Sequence, residues 1–301
     1  MNVQYGLGDA VEQHNIQIDT LVGRLFRPTV AKPNPAALVL SGSEGAFGWS
    51  NAMASNLAMH GLLTMAVSYF DWQGRFGLPE QLAEIALDPF AEAIAQLQSA
   101  QGTDQELTVI GYSRGAELAL LLGTLYPAIT RVVAYMPSAL VWRGFPVATP
   151  PQSSWCYQGQ PLPFAYFTDG YFDQAGWQDE AIIAQAAIPV EKIAGPLLLI
   201  SGTADTVWPS TKMAAMLMAR LQQHRHPYQS QHLQLEGVGH GVGVPDPANC
   251  LPTESAATDA TLSAWQAMIE FLHQPAHRRE TINSCTRINS QEQQNTNGFC
   301  N

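Results

Sequence analysis

Leu107-Thr108-Val109-Ile110-Gly111-Tyr112-Ser113-Arg114-Gly115 is the stretch from which the fold of this chain can be read. A β-branched run enters Gly111-x-Ser113-x-Gly115 and leaves through the helix-forming residues Ala116-Glu117-Leu118-Ala119-Leu120. A serine hydroxyl is a poor nucleophile, and a fold activates it by holding it on a sharp strand-to-helix turn that faces a base. Glycines on both sides make that turn possible, because a side chain at either place would collide with the neighbouring backbone. The spacing therefore predicts a nucleophile at Ser113, with an inert serine in a glycine-rich turn as the plainer alternative.

Outward from this strand, short apolar runs alternate with helical patterns. Residues 16–26 read as an early strand or hairpin, 36–40 as a buried strand feeding the Ser41-Gly42-Ser43-Glu44-Gly45 loop, and 62–69 as another strand. Residues 51–60 and 79–99 read as helices, the second long and amphipathic, while 131–136 and 196–201 are further buried strands. Such alternation implies right-handed crossovers and a mostly parallel sheet with helices on both faces, an α/β architecture whose active residues sit at the carboxyl ends of strands. We divide the chain into an N-terminal hairpin extension (1–35), a catalytic domain (36–274) and a polar, disordered tail (275–301). Residues about 140–185 form a proline- and aromatic-rich insertion. Its Trp142, Trp155, Tyr157, Phe164, Tyr166 and Phe167 either roof an acyl or aryl pocket or pack the insertion onto the sheet. Trp155, Tyr157 and, beyond the insertion, Trp208 are the candidates for substrate contact.

Of 301 residues, 46% are hydrophobic and 13% charged, which is globular composition, and no apolar run is long enough to span a membrane. The first residues lack a basic-then-apolar leader, which predicts a cytoplasmic protein. The net charge of −11, from 14 Lys and Arg against 25 Asp and Glu, argues against nucleic acid and anionic membranes as partners. Were a strongly anionic ligand to bind, Arg75, Arg114 and Arg143 near the mouth would have to act locally against this field; the expected partner is a small-molecule ester. Cys156, Cys250, Cys285 and Cys300 show no metal spacing and read as free thiols. No cofactor or metal is expected.

A serine nucleophile of this type needs a base and an orienting carboxylate, following it in the order Ser, Asp, His. Asp205 lies just past the buried run Leu197-Leu198-Leu199-Ile200-Ser201. Asp169 and Asp173 are rivals inside the insertion, and an Asx turn is the structural alternative for Asp205. Among eight histidines, His240 alone has glycine at 237, 239 and 241. His14, His60, His224, His226, His232, His273 and His277 sit at helix ends, connectors or the termini. The oxyanion donors would be the backbone N–H groups of Arg114 and Glu44. The Arg114 side chain reads as a surface arginine or, alternatively, as a contact for a substrate phosphate or carboxylate.

Several motifs together resemble one branch of the α/β-hydrolase superfamily, the C-terminal catalytic domain of acyl-CoA thioesterases and bile acid-CoA:amino acid N-acyltransferases. They are Ser41-Gly42-Ser43-Glu44-Gly45, His60-Gly61-Leu62 with Val67-Ser68-Tyr69-Phe70, Gly111 to Leu120, Ser154-Trp155, Ser201-Gly202-x-x-Asp205-x-Val207-Trp208-Pro209-Ser210, and Gly239-His240. The resemblance implies an α/β-hydrolase fold with Ser113 as nucleophile, Asp205 as orienting acid and His240 as base. It also implies that serine, rather than the cysteine of members that chiefly transfer acyl groups to amino acids, favours hydrolysis of an acyl thioester. A carboxylesterase or dienelactone-hydrolase-like enzyme, an acyltransferase to an amine or alcohol, and a catalytically silent binding protein are the alternatives.

Overall fold

The computed structural model describes residues 10–29, 35–102, 106–245 and 255–275. β1 (Val11–Ile18) and β2 (Leu21–Pro28) form an antiparallel hairpin, and β3 (Ala36–Leu40) leads into α1 (Gly48–Met59). β4 (Leu63–Ser68), α2 (Phe90–Gln101), β5 (Leu107–Tyr112), α3 (Arg114–Leu125) and β6 (Ile129–Tyr135) follow. After the insertion, which carries α4 (Glu180–Ala186), come β7 (Leu197–Gly202), α5 (Ser210–Gln223), β8 (Gln231–Leu235) and α6 (Ser255–His273).

Eight strands form one sheet in the order β1-β2-β4-β3-β5-β6-β7-β8. β2 meets β4 antiparallel, and every pairing from β4 across to β8 is parallel. The hairpin is thus the edge of the central sheet. Strands buried on both faces read as continuous apolar runs, and β3, Ala-Ala-Leu-Val-Leu, is buried throughout. Its alternate residues serve two cores: Ala36, Leu38 and Leu40 pack with residues of α2, α3 and α5, whereas Ala37 and Val39 pack with those of α1 and α6. This is the expected helix-sheet-helix sandwich, with β5 near its centre.

The long helix expected over 79–99 is shorter at its start. Residues 79–89 are instead mostly bends and turns with two short pairings: Leu82 bridges Phe145, and Ile85–Ala86 pairs in parallel with Trp155–Cys156, whose strand also pairs with Gln160–Pro161. These partners lie in the insertion, so a tertiary pairing outweighs the local helical pattern. The tail, His277, Cys250, Cys285 and Cys300 lie outside the described residues. Among the described residues no helix is long and apolar enough to cross a membrane.

Candidate active site

Gly111 and Gly115 are required by contact rather than by flexibility. A Cβ on Gly111 would stand 2.0 Å from the Gly115 carbonyl oxygen, and one on Gly115 would stand 2.3 Å from the Ser41 carbonyl oxygen. No side chain survives such approaches, so α3 can leave β5 this steeply only with glycine at both places. Between them Ser113 adopts φ 55°, ψ −117°, a backbone conformation that costs a non-glycine residue roughly 1–3 kcal/mol. Its N–H is anchored on the Tyr135 carbonyl at 2.9 Å, on the next strand. The elbow read from the sequence is present.

Asp205 and His240 arrive from the carboxyl ends of β7 and β8. His240 Nε2 lies 2.9 Å from Ser113 Oγ, and His240 Nδ1 lies 2.8 Å from Asp205 Oδ2. The second carboxylate oxygen, Oδ1, accepts the backbone N–H groups of Val207 and Trp208 at 3.0 and 3.2 Å. Burial pushes the Asp205 carboxyl up, but hydrogen bonds from His240, Ser210 and the Trp208 N–H outweigh it and hold the group below the ordinary carboxylate value. Asp205 is therefore ionised at neutral pH, and it keeps a proton on Nδ1 so that Nε2 is free to accept one. The Asx turn offered as its structural alternative exists too; both uses are served by different oxygens.

The two loops are fastened to each other. The Thr203 and Ala204 N–H groups donate to the Leu235 and Val238 carbonyls at 3.1 and 2.9 Å, and the Gly237 N–H donates to Thr203 Oγ1 at 2.8 Å. A Cβ on Gly202 would stand 2.3 Å from the Val238 oxygen. The Tyr112 hydroxyl donates to the His240 carbonyl at 3.0 Å, tying the histidine loop to the elbow. The Trp208 ring meets the His240 ring edge-on at 5.8 Å.

The Ser41-to-Gly45 loop passes beside Ser113: a Cβ on Gly42 would stand 3.0 Å from Ser113 Cβ. Glu44 points its carboxylate at the start of α1, where Oε1 accepts the Trp49 N–H at 3.3 Å, the usual use of an acid at a helix N-terminus. Arg114 occupies the first position of α3, where a backbone N–H has no intrahelical acceptor.

Five of the other histidines have partners elsewhere. His60 Nδ1 meets the Asn56 carbonyl, His226 Nε2 the Ile193 carbonyl, His232 Nε2 Ser201 Oγ, His273 Nδ1 the Ile269 carbonyl, and His14 lies near Glu12. Asp169 is exposed and Asp173 half-buried in the insertion, Asp173 accepting the Ala175 N–H. Among the described residues no three His, Cys, Asp or Glu side chains converge as metal ligands.

The aromatic candidates are only partly brought to the site. Trp208 borders His240, but its indole is buried and donates to the Met136 carbonyl. Trp155 is wholly buried and donates to Glu117 Oε1 at 2.7 Å. Tyr157 is half-buried and packs against the hydrophobic core. Trp142, Phe167, Tyr171 and Trp177 cluster edge-to-face and pack the insertion down, whereas Phe145, Tyr166 and Phe172 stay exposed on it.

The Arg114 side chain is neither on the surface nor directed at a ligand. It is buried and paired with Glu117 at 2.6 Å, an acid that the sequence reading overlooked. The signal was there: an Arg-x-x-Glu pair on an otherwise apolar helix shares one face, and neither charge is buried unless paired. Of the other two cations, half-exposed Arg75 pairs with Asp71 at 2.9 Å and Arg143 lies over the Tyr166 ring.

Comparison with known proteins supplies a family. The profile described as BAAT / Acyl-CoA thioester hydrolase C terminal matches residues 85–277. The chain is 30% identical to acyl-coenzyme A amino acid N-acyltransferase 2 of Mus musculus over 251 residues, 79% of this chain and 56% of that one. It is 32% identical to acyl-coenzyme A thioesterase 6 of Mus musculus over 208 residues, 66% of this chain and 47% of that one. The chain thus spans about half the length of these relatives. A dienelactone hydrolase-like promiscuous phosphotriesterase from metagenomic libraries superposes with a TM-score of 0.55 at 15% identity, covering 87% of this chain and 98% of that one. That likeness shows an α/β-hydrolase fold.

Proposed function

Since the chain belongs to the BAAT / acyl-CoA thioester hydrolase C-terminal family, we propose that it is a serine hydrolase that cleaves acyl thioesters, acyl-CoA foremost, through an acyl-serine intermediate. The observation that carries this reading is the unbroken relay from Ser113 Oγ through His240 to Asp205, at 2.9 and 2.8 Å.

His240 Nε2 takes the Ser113 proton as Oγ attacks the thioester carbonyl carbon. The resulting oxyanion is held by the Arg114 and Glu44 N–H groups, one from the elbow and one from the loop beside it; losing one such donor typically costs about 3–4 kcal/mol. The imidazolium returns its proton to the departing sulfur, which leaves as thiol with the carbon–sulfur bond broken. Water then enters, His240 removes its proton, and the acyl group departs as a carboxylic acid while Ser113 recovers its hydrogen. Asp205 stays ionised and balances the imidazolium in both halves.

Release of free thiol from acyl-CoAs of increasing chain length, beside p-nitrophenyl esters of the same acyl groups, tests the reading with Ser113→Ala as control. Preference for the thioesters that vanishes in Ser113→Ala supports it, and preference for the oxygen esters moves the enzyme to the carboxylesterase reading. Similarity to an N-acyltransferase gives acyl transfer to an amine as the second reading, which an amine-dependent amide product would identify.

A further inference from the structure

Glu117 is a fully buried acid that no step above uses. It stands one turn into α3, and its two oxygens serve different elements. Oε2 accepts Arg114 Nη1–H at 2.6 Å, while Oε1 accepts the Trp142 backbone N–H at 3.0 Å and the Trp155 indole N–H at 2.7 Å. The Arg114 guanidinium, buried as well, also donates to the Arg143 carbonyl and to Ser154 Oγ. Every partner outside α3 therefore belongs to residues 142–155 of the insertion. Arg114 is also the residue whose backbone N–H faces the oxyanion in the proposed reaction, so its side chain and that donor hang from the same Cα.

We propose that the Arg114–Glu117 pair is a brace that fixes the oxyanion donor and links it to the insertion, with Glu117 as a positioning residue. The inference rests on Ser113 being the nucleophile. A strained turn persists only where its surroundings over-determine it. At the first position of a helix the backbone N–H has no helical partner to hold it in place. The restraint on Arg114 comes instead from three side-chain anchors reaching three separate points of the insertion and α3. Apolar residues of the same volume fill space as well as a buried ion pair does, but they cannot fix an orientation in this way.

The test is steady-state hydrolysis of p-nitrophenyl acetate, which reports Ser113 chemistry whatever the natural acyl donor. Glu117→Gln keeps the size and one acceptor oxygen but removes the charge. Its kcat should fall by about 10²-fold, the scale of one lost oxyanion donor, with KM unchanged. Affinity for a trifluoromethyl ketone, which becomes a tetrahedral adduct on Ser113, should fall in parallel, while affinity for the matching methyl ketone should not. An unchanged kcat and inhibitor ratio in a folded Glu117→Gln protein would overturn the proposal. If that variant fails to fold, Ser154→Ala decides: it leaves the ion pair whole, removes one anchor, and should give a smaller loss of the same kind, about tenfold. Unchanged kcat there overturns the brace equally. Turnover surviving in Ser113→Ala removes the nucleophile reading itself, and the brace falls with it, whereas silence towards acyl-CoA alone refutes only the donor class.

Discussion

The backbone of Ser113 yields a prediction that separates catalysis from stability. At φ 55°, ψ −117° the residue occupies a region where only glycine sits without strain, at a cost of roughly 1–3 kcal/mol for a residue with a Cβ. Ser113→Ala and Ser113→Gly both lose the hydroxyl and its contact with His240, so the difference between them isolates the backbone. Glycine relieves the strain but adds freedom to the unfolded chain, worth about 0.4–1 kcal/mol in the opposite direction. The net expectation is that Ser113→Gly is more stable than Ser113→Ala by about 0.5–2 kcal/mol, while both are inactive. Urea unfolding followed by intrinsic fluorescence, with equal m-values in the two variants, measures this directly. A glycine variant no more stable than the alanine one would refute strain at the elbow, and with it the claim that the surroundings hold Ser113 against its preference.

Three further outcomes are expected. Asp205→Asn should lower kcat by about 10⁴-fold in the thiol-release assay, because the wrong imidazole tautomer then faces Ser113. Gly202→Ala should cost about 1–3 kcal/mol by overpacking and at least about 10²-fold in kcat by displacing the His240 loop, readable as a kinetic loss larger than the shift in urea midpoint implies. As for pH, the Asp205 carboxyl is held below its ordinary value of 3.8, so the stability it contributes is present above that pH and is lost as pH falls through the depressed folded value. The wild-type advantage over Asp205→Asn in denaturant midpoint should therefore persist at pH 5 and shrink on acidification below about 3.8; an advantage that instead declined between pH 7 and 5 would contradict the assignment.

The candidate site was legible where its geometry is written in neighbouring residues. Ser113 between two glycines after a β-branched strand, and His240 among three glycines, declare themselves because the backbone constraint is local. Asp205 was readable from its place after a buried strand. What escaped depends on partners far along the chain. Residues 79–89 carry a helical pattern but pair with Phe145 and Trp155, and no periodicity within the segment reports that competition. Trp155 looked like a pocket wall because aromatic residues in a proline-rich insertion suit either use, and its selection by Glu117 spans 38 positions. Arg114 looked like a surface residue because its counter-ion was not paired with it in the reading, although both lie on one helical face.

The acid and the base are joined by a short set of hydrogen bonds between their own loops, and the base is carried by β8, the last strand of the sheet. That strand is bonded to β7 alone within the sheet, and of its five residues only Leu235 is buried. Segments of this kind open at lower free energy than the core. The three candidate residues thus stand on ground of unequal firmness: Ser113 and Asp205 follow strands bonded on both sides and buried along nearly all their length, while His240 hangs from the edge strand. If the proposed reaction is right, partial warming or dilute denaturant should abolish turnover by loosening the His240 strand while Ser113, its elbow and most of the core are still intact, and cooling should restore turnover without refolding of the molecule as a whole.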